Sequence, residues 1–431
     1  MSSPLHRERL EQKLAAAAEP RARHLFTRLL PDSARAEADA ADLRRKAGIA
    51  LGPLDGRIIS IKDLFDMAGQ VTTAGSVILK DNAPAGSDAP TVAALRRAGA
   101  ILIGRTNMSE FAFSGIGLNP HYGTPGNAVD PARVPGGSTS GGAVSVALGL
   151  ADLTLGTDTG GSTRIPAAFN GIVGFKPTSS RVSKAGAFPL SYTLDSIGPL
   201  GPDVATCAAM DAILAGADPE SLPDVSVMGL RLGIPRGLLF EETEPAVADA
   251  FEEAISRLSE FGAHMRELSI DDLVLAMRGV LAGAPIAACE AAEIHHEWLQ
   301  SRAADFDARV LARIRPGASI SAPAYITALR ERDRLKGEFA RRIAPFDALI
   351  LPTCALQAPV IAALEADPEL FARKNVLALR NTSPANFFDC PALSLPLPVS
   401  GLPVGLMLLG APMQDRRLLA LGAAVEATLR P

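Results

Sequence analysis

Cysteine is scarce in this sequence: Cys207, Cys289, Cys354 and Cys390 are the only four in 431 residues. They lie far apart, with neither metal-ligand spacing nor the density of a disulfide framework, so reduced, mostly buried thiols are expected. A secretory leader is not apparent, because MSSPLHRERLEQKLAAAAEP carries charges where such a signal needs an apolar run. A cytoplasmic protein is therefore expected. Charge of one sign is not in large excess either: 42 Lys and Arg against 47 Asp and Glu give a net charge of −5. A mildly acidic chain has no overall field for phosphates, and no nucleic-acid partner is expected.

An unbroken membrane span is also missing. Residues 390–414 hold no charged side chain, but Pro391, Pro396, Pro398, Pro403 and Pro412 interrupt them. A spanning helix must satisfy its backbone internally, which five prolines oppose. The stretch reads as two short buried strands joined by a turn, and no membrane partner is expected. Familiar catalytic motifs are absent too: there is no P-loop Gly-Lys-Ser/Thr, no G-x-S-x-G elbow and no H-E-x-x-H helix. His295 and His296 have no third ligand at sensible spacing and read as surface or helix-packing residues. No metal site is expected.

What remains is a globular composition, 48% hydrophobic and 21% charged, with ample material for a core. The first fifty residues read as helices packed on a larger body. From residue 51 the texture alternates: GRIISIKDLFD and AGAILIGRTN are β-prone, and SDAPTVAALRRAG between them is helical. This pattern indicates a layered α/β architecture. LRLGIP at 230–235 and FDALILPT at 346–353 are further strand candidates, while 271–345 is largely helical. Strand texture on both sides of residue 225 favours one continuous sheet with a helical insertion over two domains.

Three polar residues stand out from this background. Lys62 ends a β-prone run, and Ser138 (in GGSTSGG) and Ser162 (in GTDTGGSTR) lie in glycine-rich loops. Taken singly, the lysine could reach the surface and each loop could be a tight turn. Together they suggest more. Beside Thr159, Gly160 and Gly161, consecutive N–H groups can converge near Ser162 to receive an oxyanion. A serine nucleophile needs a base. With no competent histidine, a lysine kept neutral by burial is the plausible one, provided Ser138 bridges Lys62 to Ser162.

These blocks resemble the amidase signature family of serine amide hydrolases. PGGSTSGG at 135–142 and GTDTGGSTRIPAAFNGIVGFKPT at 156–178 carry the likeness. GPLDGRIISIKDLFDMAGQVTTAGS, GRTNMSEFAFSG, TLDSIGPLG, FDALILPT, SPANFFDCPALSLPL and GLPVGLMLLG support it in order along the chain. The resemblance implies one large α/β domain over 51–431, with a central mixed, twisted sheet flanked by helices on both faces. Residues 1–50 would pack on it, and 225–345 would be a variable, mostly helical, substrate-side region. It implies Lys62 as base, Ser162 as nucleophile, and Ser138, after a cis peptide, as bridge. Ser138 and Ser162 are 24 residues apart, as that pattern expects. The GGSTSGG form departs from the common GGSSGG by placing Thr139 and Ser140 after the bridge, which makes Ser140 a rival for that role.

The resemblance further implies an oxyanion hole from the backbone of Thr159, Gly160, Gly161 and Ser162, braced by Asp158 and Arg164. Asp195, Lys176, Asn107, Asn127 and Asn386 would be structural or supporting, and no cofactor would be needed. The expected partner is a small amide, aryl or arylalkyl if Phe113, Tyr122, Phe188 and Tyr192 line the pocket. The loops 115–125 and 187–193 would close it. Alternatives are the glutaminase subunit of a tRNA-dependent amidotransferase, a hydrolase of urea-derived or carboxylated amides (with Arg278 or another variable-region residue reading the carboxylate), and an inactive scaffold. A homodimer is the default oligomer.

Overall fold

The computed structural model describes residues 5–430. Eleven strands form one mixed sheet: β1 (Phe26–Leu29), β2 (Ile58–Lys62), β3 (Ile101–Thr106), β4 (Leu153–Asp158), β5 (Val173–Lys176), β6 (Ser196–Gly201), β7 (Arg231–Ile234), β8 (His264–Glu267), β9 (Ala348–Pro352), β10 (Ala392–Pro396) and β11 (Gly405–Leu409). Their order is β1-β3-β2-β4-β6-β5-β10-β11-β9-β7-β8. Parallel pairing joins β2 to β3 and β4, and β7 to β8 and β9. The other pairs are antiparallel.

Side chains alternate across a strand, so a sheet covered on both faces must be apolar at successive positions. β10 and β11 show this. Leu393, Leu395, Leu406 and Leu408 pack with the helices Val204–Leu214, Pro245–Glu260 and Asp415–Leu429. Ala392, Met407 and Leu409 point the other way, toward the helices Asp271–Gly283 and Ala322–Ile343. The proline-broken stretch at 390–414 thus forms two buried antiparallel strands, as its sequence suggests.

Two readings need correction. The first fifty residues are not wholly helical: Phe26–Leu29 is a strand along the free edge of β3. Pro20 and Pro31 bracket it, Pro31 opening the next helix, so the intervening residues extend and pair with the available edge. The variable region supplies β7, at the LRLGIP strand candidate, and β8, both at the opposite edge. In addition, Asp271–Ile294 is long and apolar enough by composition to cross a membrane. The chain leaves helical geometry at Ala284–Pro285, however, and forms two helices. Their residues Leu273, Val274, Ile286 and Ala291 are buried in the body of the protein.

This topology positions the site. The parallel strands β2 and β4 end side by side at Lys62 and Asp158, and the chain after β4 turns at once into the 159–163 loop. The Ser138 loop leads into the buried helix Ser140–Ala147, which returns the chain to β4. Crevices at the carboxyl ends of such strands are where open α/β sheets bind ligands.

Candidate active site

Lys62 is 0% exposed although it carries an amine. Its Nζ donates to Ser138 Oγ at 2.7 Å and Thr157 Oγ1 at 2.8 Å, with the Thr157 carbonyl oxygen at 3.5 Å. Burial disfavours the charged form and brings its pKa down to about 7, against the pull of the Asp158 and Asp195 carboxylates. A neutral amine has two N–H donors and one lone pair. If both donors turn to Thr157, the lone pair faces the Ser138 hydroxyl and can accept its proton.

Ser138 is fully buried and follows a cis peptide from Gly137, as the resemblance implied. Ser140, the rival, instead donates to the Asn107 carbonyl at 3.3 Å. Thr139 Oγ1 is buried and has no hydrogen-bond partner among the described residues. Ser162 is 4% exposed and opens onto a cavity of about 310 Å³. Its hydroxyl makes no hydrogen bond among the described residues, so the link from Ser138 to Ser162 is not closed in this state. Catalytic hydrogen bonds are often long or open in a free enzyme and tighten when substrate binds.

The 159–162 loop is held from behind. Thr382 Oγ1, at 2.6 Å, and Ser383 Oγ, at 3.4 Å, both donate to the Gly160 carbonyl. Thr159 Oγ1 donates to Asp195 at 2.5 Å, and Asp195 also accepts from the Leu190 and Ser191 N–H groups. Burial raises the pKa of that carboxyl, and these donors oppose the rise. Gly161 has φ +146°, and a Cβ there would lie 2.3 Å from Thr382 Oγ1, so only glycine fits. With the carbonyl of Gly160 turned to Thr382, the N–H groups of Gly160, Gly161 and Ser162 have no backbone partner among the described residues. They suit a developing oxyanion.

Asp158 and Arg164 form the brace beneath. The Asp158 carboxylate accepts from Thr163 N–H and Oγ1, from Arg164 Nε at 3.0 Å and Nη2 at 2.8 Å, and from Asn386 at 2.9 Å. Burial alone would raise its pKa, but Arg164 and these donors hold it below the usual carboxylate range. Arg164 also donates to the Thr382 carbonyl and Asn386 Oδ1. Asn107 and Asn127 donate to backbone carbonyls and tie loops together. Lys176, also buried, donates to the Pro177 carbonyl at 2.7 Å; burial lowers its pKa to about 8. It makes no hydrogen bond to a serine hydroxyl among the described residues.

The cavity wall departs from the aromatic pocket the sequence suggested. Only Phe113 of the four aromatic residues lines it. Phe188 stacks against His295, Trp298 and Phe111. Tyr122 is half-buried elsewhere, and Tyr192 is 57% exposed beside a different depression. Leu190, Leu194, Leu281, Ile286 and Leu379 line it instead, with Arg313 the charged residue among them. Gly115 and Leu190 bring the 115–125 and 187–193 loops to its rim. Arg278 is exposed and away from it. His295 is buried in the ring cluster, which pushes its pKa down to about 4, and His296 hydrogen-bonds Gln300 at the surface.

Sequence reasoning missed Thr157, Thr382, Ser383 and Arg313. The first three act through partners distant in the chain. Arg313, in DARVLARIRPG, looks like any charged residue on a helix.

Comparison with known proteins agrees with this geometry. The amidase family profile matches residues 8–419. A glutamyl-tRNA(Gln) amidotransferase subunit of Symbiobacterium thermophilum is 36% identical over 437 residues, covering 93% of this chain and 88% of that one. The 2-amino-5-chloromuconic acid deaminase of Comamonas testosteroni is 36% identical over 403 residues, covering 92% and 86%. A crystal structure of an amidase superposes with a TM-score of 0.89 at 36% identity, covering 99% of this chain and 97% of that one. The chain therefore belongs to the amidase family, and its chemistry is serine-based hydrolysis of an amide bond.

Proposed function

We propose that this protein hydrolyses a small linear amide through an acyl-enzyme on Ser162, with Lys62 as base and Ser138 as the bridge between them. The observation that carries the reading is the buried Lys62 amine 2.7 Å from Ser138, beside a cavity onto which Ser162 opens. Neutral Lys62 takes the Ser138 proton as Ser138 takes that of Ser162. The Ser162 oxygen attacks the carbonyl carbon, and the N–H groups of the 159–162 loop meet the oxyanion. The proton returns through Ser138 to the nitrogen, and the carbon–nitrogen bond breaks to release ammonia or an amine. Water then attacks the ester by the same relay, freeing the acid and Ser162. Nothing in these steps requires a metal or cofactor.

Phe113 and Phe387 are the aromatic residues of an otherwise largely aliphatic wall, which does not select an aryl over an aliphatic acyl group. Two tests bear on the reading. A fluorophosphonate should label wild-type protein but not Ser162→Ala, and ammonia release from a panel of primary amides and ureas should vanish in the same variant. Labelling that survives in Ser162→Ala overturns the assignment.

The likeness to an amidotransferase component favours a second reading, in which the released ammonia passes to a partner protein acting on charged tRNA. Glutamine hydrolysis that requires a copurifying protein would favour it. Vigorous turnover by the isolated chain on other amides would oppose it.

A further inference from the structure

Arg313 lines the same cavity as Ser162, from the short helix Ala308–Ile314. Its Nε is sealed from solvent without a hydrogen-bond partner, and the side chain makes no ion pair among the described residues. The Phe113 ring lies 4.6 Å below the guanidinium. Arg313 is itself partly exposed, whereas the buried arginines all have partners: Arg105 pairs with Asp63, Arg164 with Asp158, and Arg332 donates to the carbonyls of Asn386 and Phe387. Burial lowers the Arg313 pKa to about 10, so it remains charged near neutrality, and no carboxylate offsets the cost. A partly desolvated guanidinium that has no acceptor among the described residues favours an anion entering the cavity.

The rest of the lining limits what that anion can be. None of the residues around the cavity is Asp or Glu. The nearby carboxylates are already engaged, Asp158 by Arg164 and Asp195 by Thr159 and two backbone N–H groups. A ligand ammonium would therefore sit against leucines, beside an arginine of like charge, with no counter-ion.

Resting on the hydrolase reading above, we propose that Arg313 selects amides whose acyl half ends in a carboxylate and carries no ammonium group. The substrate class is the monoamide of a dicarboxylic acid, or a urea bearing a carboxylate, rather than an amide of an α-amino acid. Planar, bidentate donation suits the guanidinium to that carboxylate. The oxyanion loop takes the other end of the ligand.

A matched series tests this. Succinamate, glutaramate and adipamate are compared with the neutral amides of equal length, and glutaramate with glutamine, which differs by its ammonium. In the wild type, the best carboxylated amide should exceed its neutral counterpart in kcat/KM by about 100-fold, and glutaramate should exceed glutamine. In Arg313→Met the preference for the carboxylate should collapse to within a few-fold, while Arg313→Lys should recover part of it. Glutamine matching glutaramate in the wild type overturns the proposal, as does a carboxylate preference that survives Arg313→Met. Calorimetry with glutarate on Ser162→Ala separates this from the hydrolase reading. Glutarate that binds Ser162→Ala but not the Ser162→Ala/Arg313→Met double variant supports the carboxylate site even where no amide is cleaved. Absence of glutarate binding, with amides still hydrolysed, overturns the site and leaves the hydrolase standing.

Discussion

The floor of the cavity and its far wall each carry an arginine, fully buried in the floor and partly exposed in the wall, and the two are placed on opposite terms. Arg164, under the 159–162 loop, meets a carboxylate, a carbonyl and an amide oxygen. Arg313, across the cavity, lies over an aromatic face and has no hydrogen bond or ion pair among the described residues. The floor comes from the glycine-rich blocks around β4, the wall from the variable region. The difference separates two uses of buried charge. A paired ion sets geometry and is finished when the chain folds; an unpaired ion facing a cavity is finished only by a ligand.

The largest effect should come from the floor's amine. Replacing Lys62 by Met should lower kcat/KM by roughly 10³-fold or more, in keeping with loss of a general base. The same substitution removes an amine that folding strips of water, so thermal unfolding should move upward, not downward. A slow variant that is also less stable would mean that Lys62 holds the site together rather than serving as its base. The two arginines give the next contrast. Arg164→Met strands the Asp158 carboxylate and should cost about 3–5 kcal/mol in chemical denaturation. Arg313→Met strands nothing and should leave stability unchanged or raised. Equal losses from both would break the distinction between floor and wall.

The sequence made the floor far more legible than the wall. Lys62 follows a β-prone run, and the two serine loops are dense in glycine, so their types and spacing already suggested a lysine–serine relay. Each depends on local backbone, which a linear reading can see. β2, β3, β9 and the β10–β11 pair were legible for the same reason, as apolar runs bounded by turn residues. β1 was not, because FTRL becomes a strand only where the β3 edge receives it. Arg313 was hidden for a related reason. Its lack of a partner is a fact of packing, set by Phe113 some two hundred residues earlier in the chain, and no local pattern encodes it. The aromatic pocket failed likewise: Phe188 has the composition of a pocket residue but finds His295 and Trp298 first.

The smallest effect is a pH dependence, and its sign again sets the floor apart from the wall. The Lys62 pKa lies near 7, so the amine is protonated below that value and cannot take the Ser138 proton. If chemistry limits turnover, kcat/KM should fall about tenfold per unit as pH drops below 7 and level off above it. Stability should move the same way over a higher range. The unfolded chain holds the Lys62 proton up to its ordinary value of 10.5, whereas the folded chain gives it up near 7. Between those values the unfolded state binds more protons, so the penalty for burying this amine shrinks as pH rises from 7 toward 10.5. In Lys62→Met both slopes should flatten together. Arg313 gives no such slope near neutrality, because its pKa, about 10, keeps it charged throughout the acid limb. A rate that falls in acid equally in the wild type and in Lys62→Met would place the titrating group elsewhere.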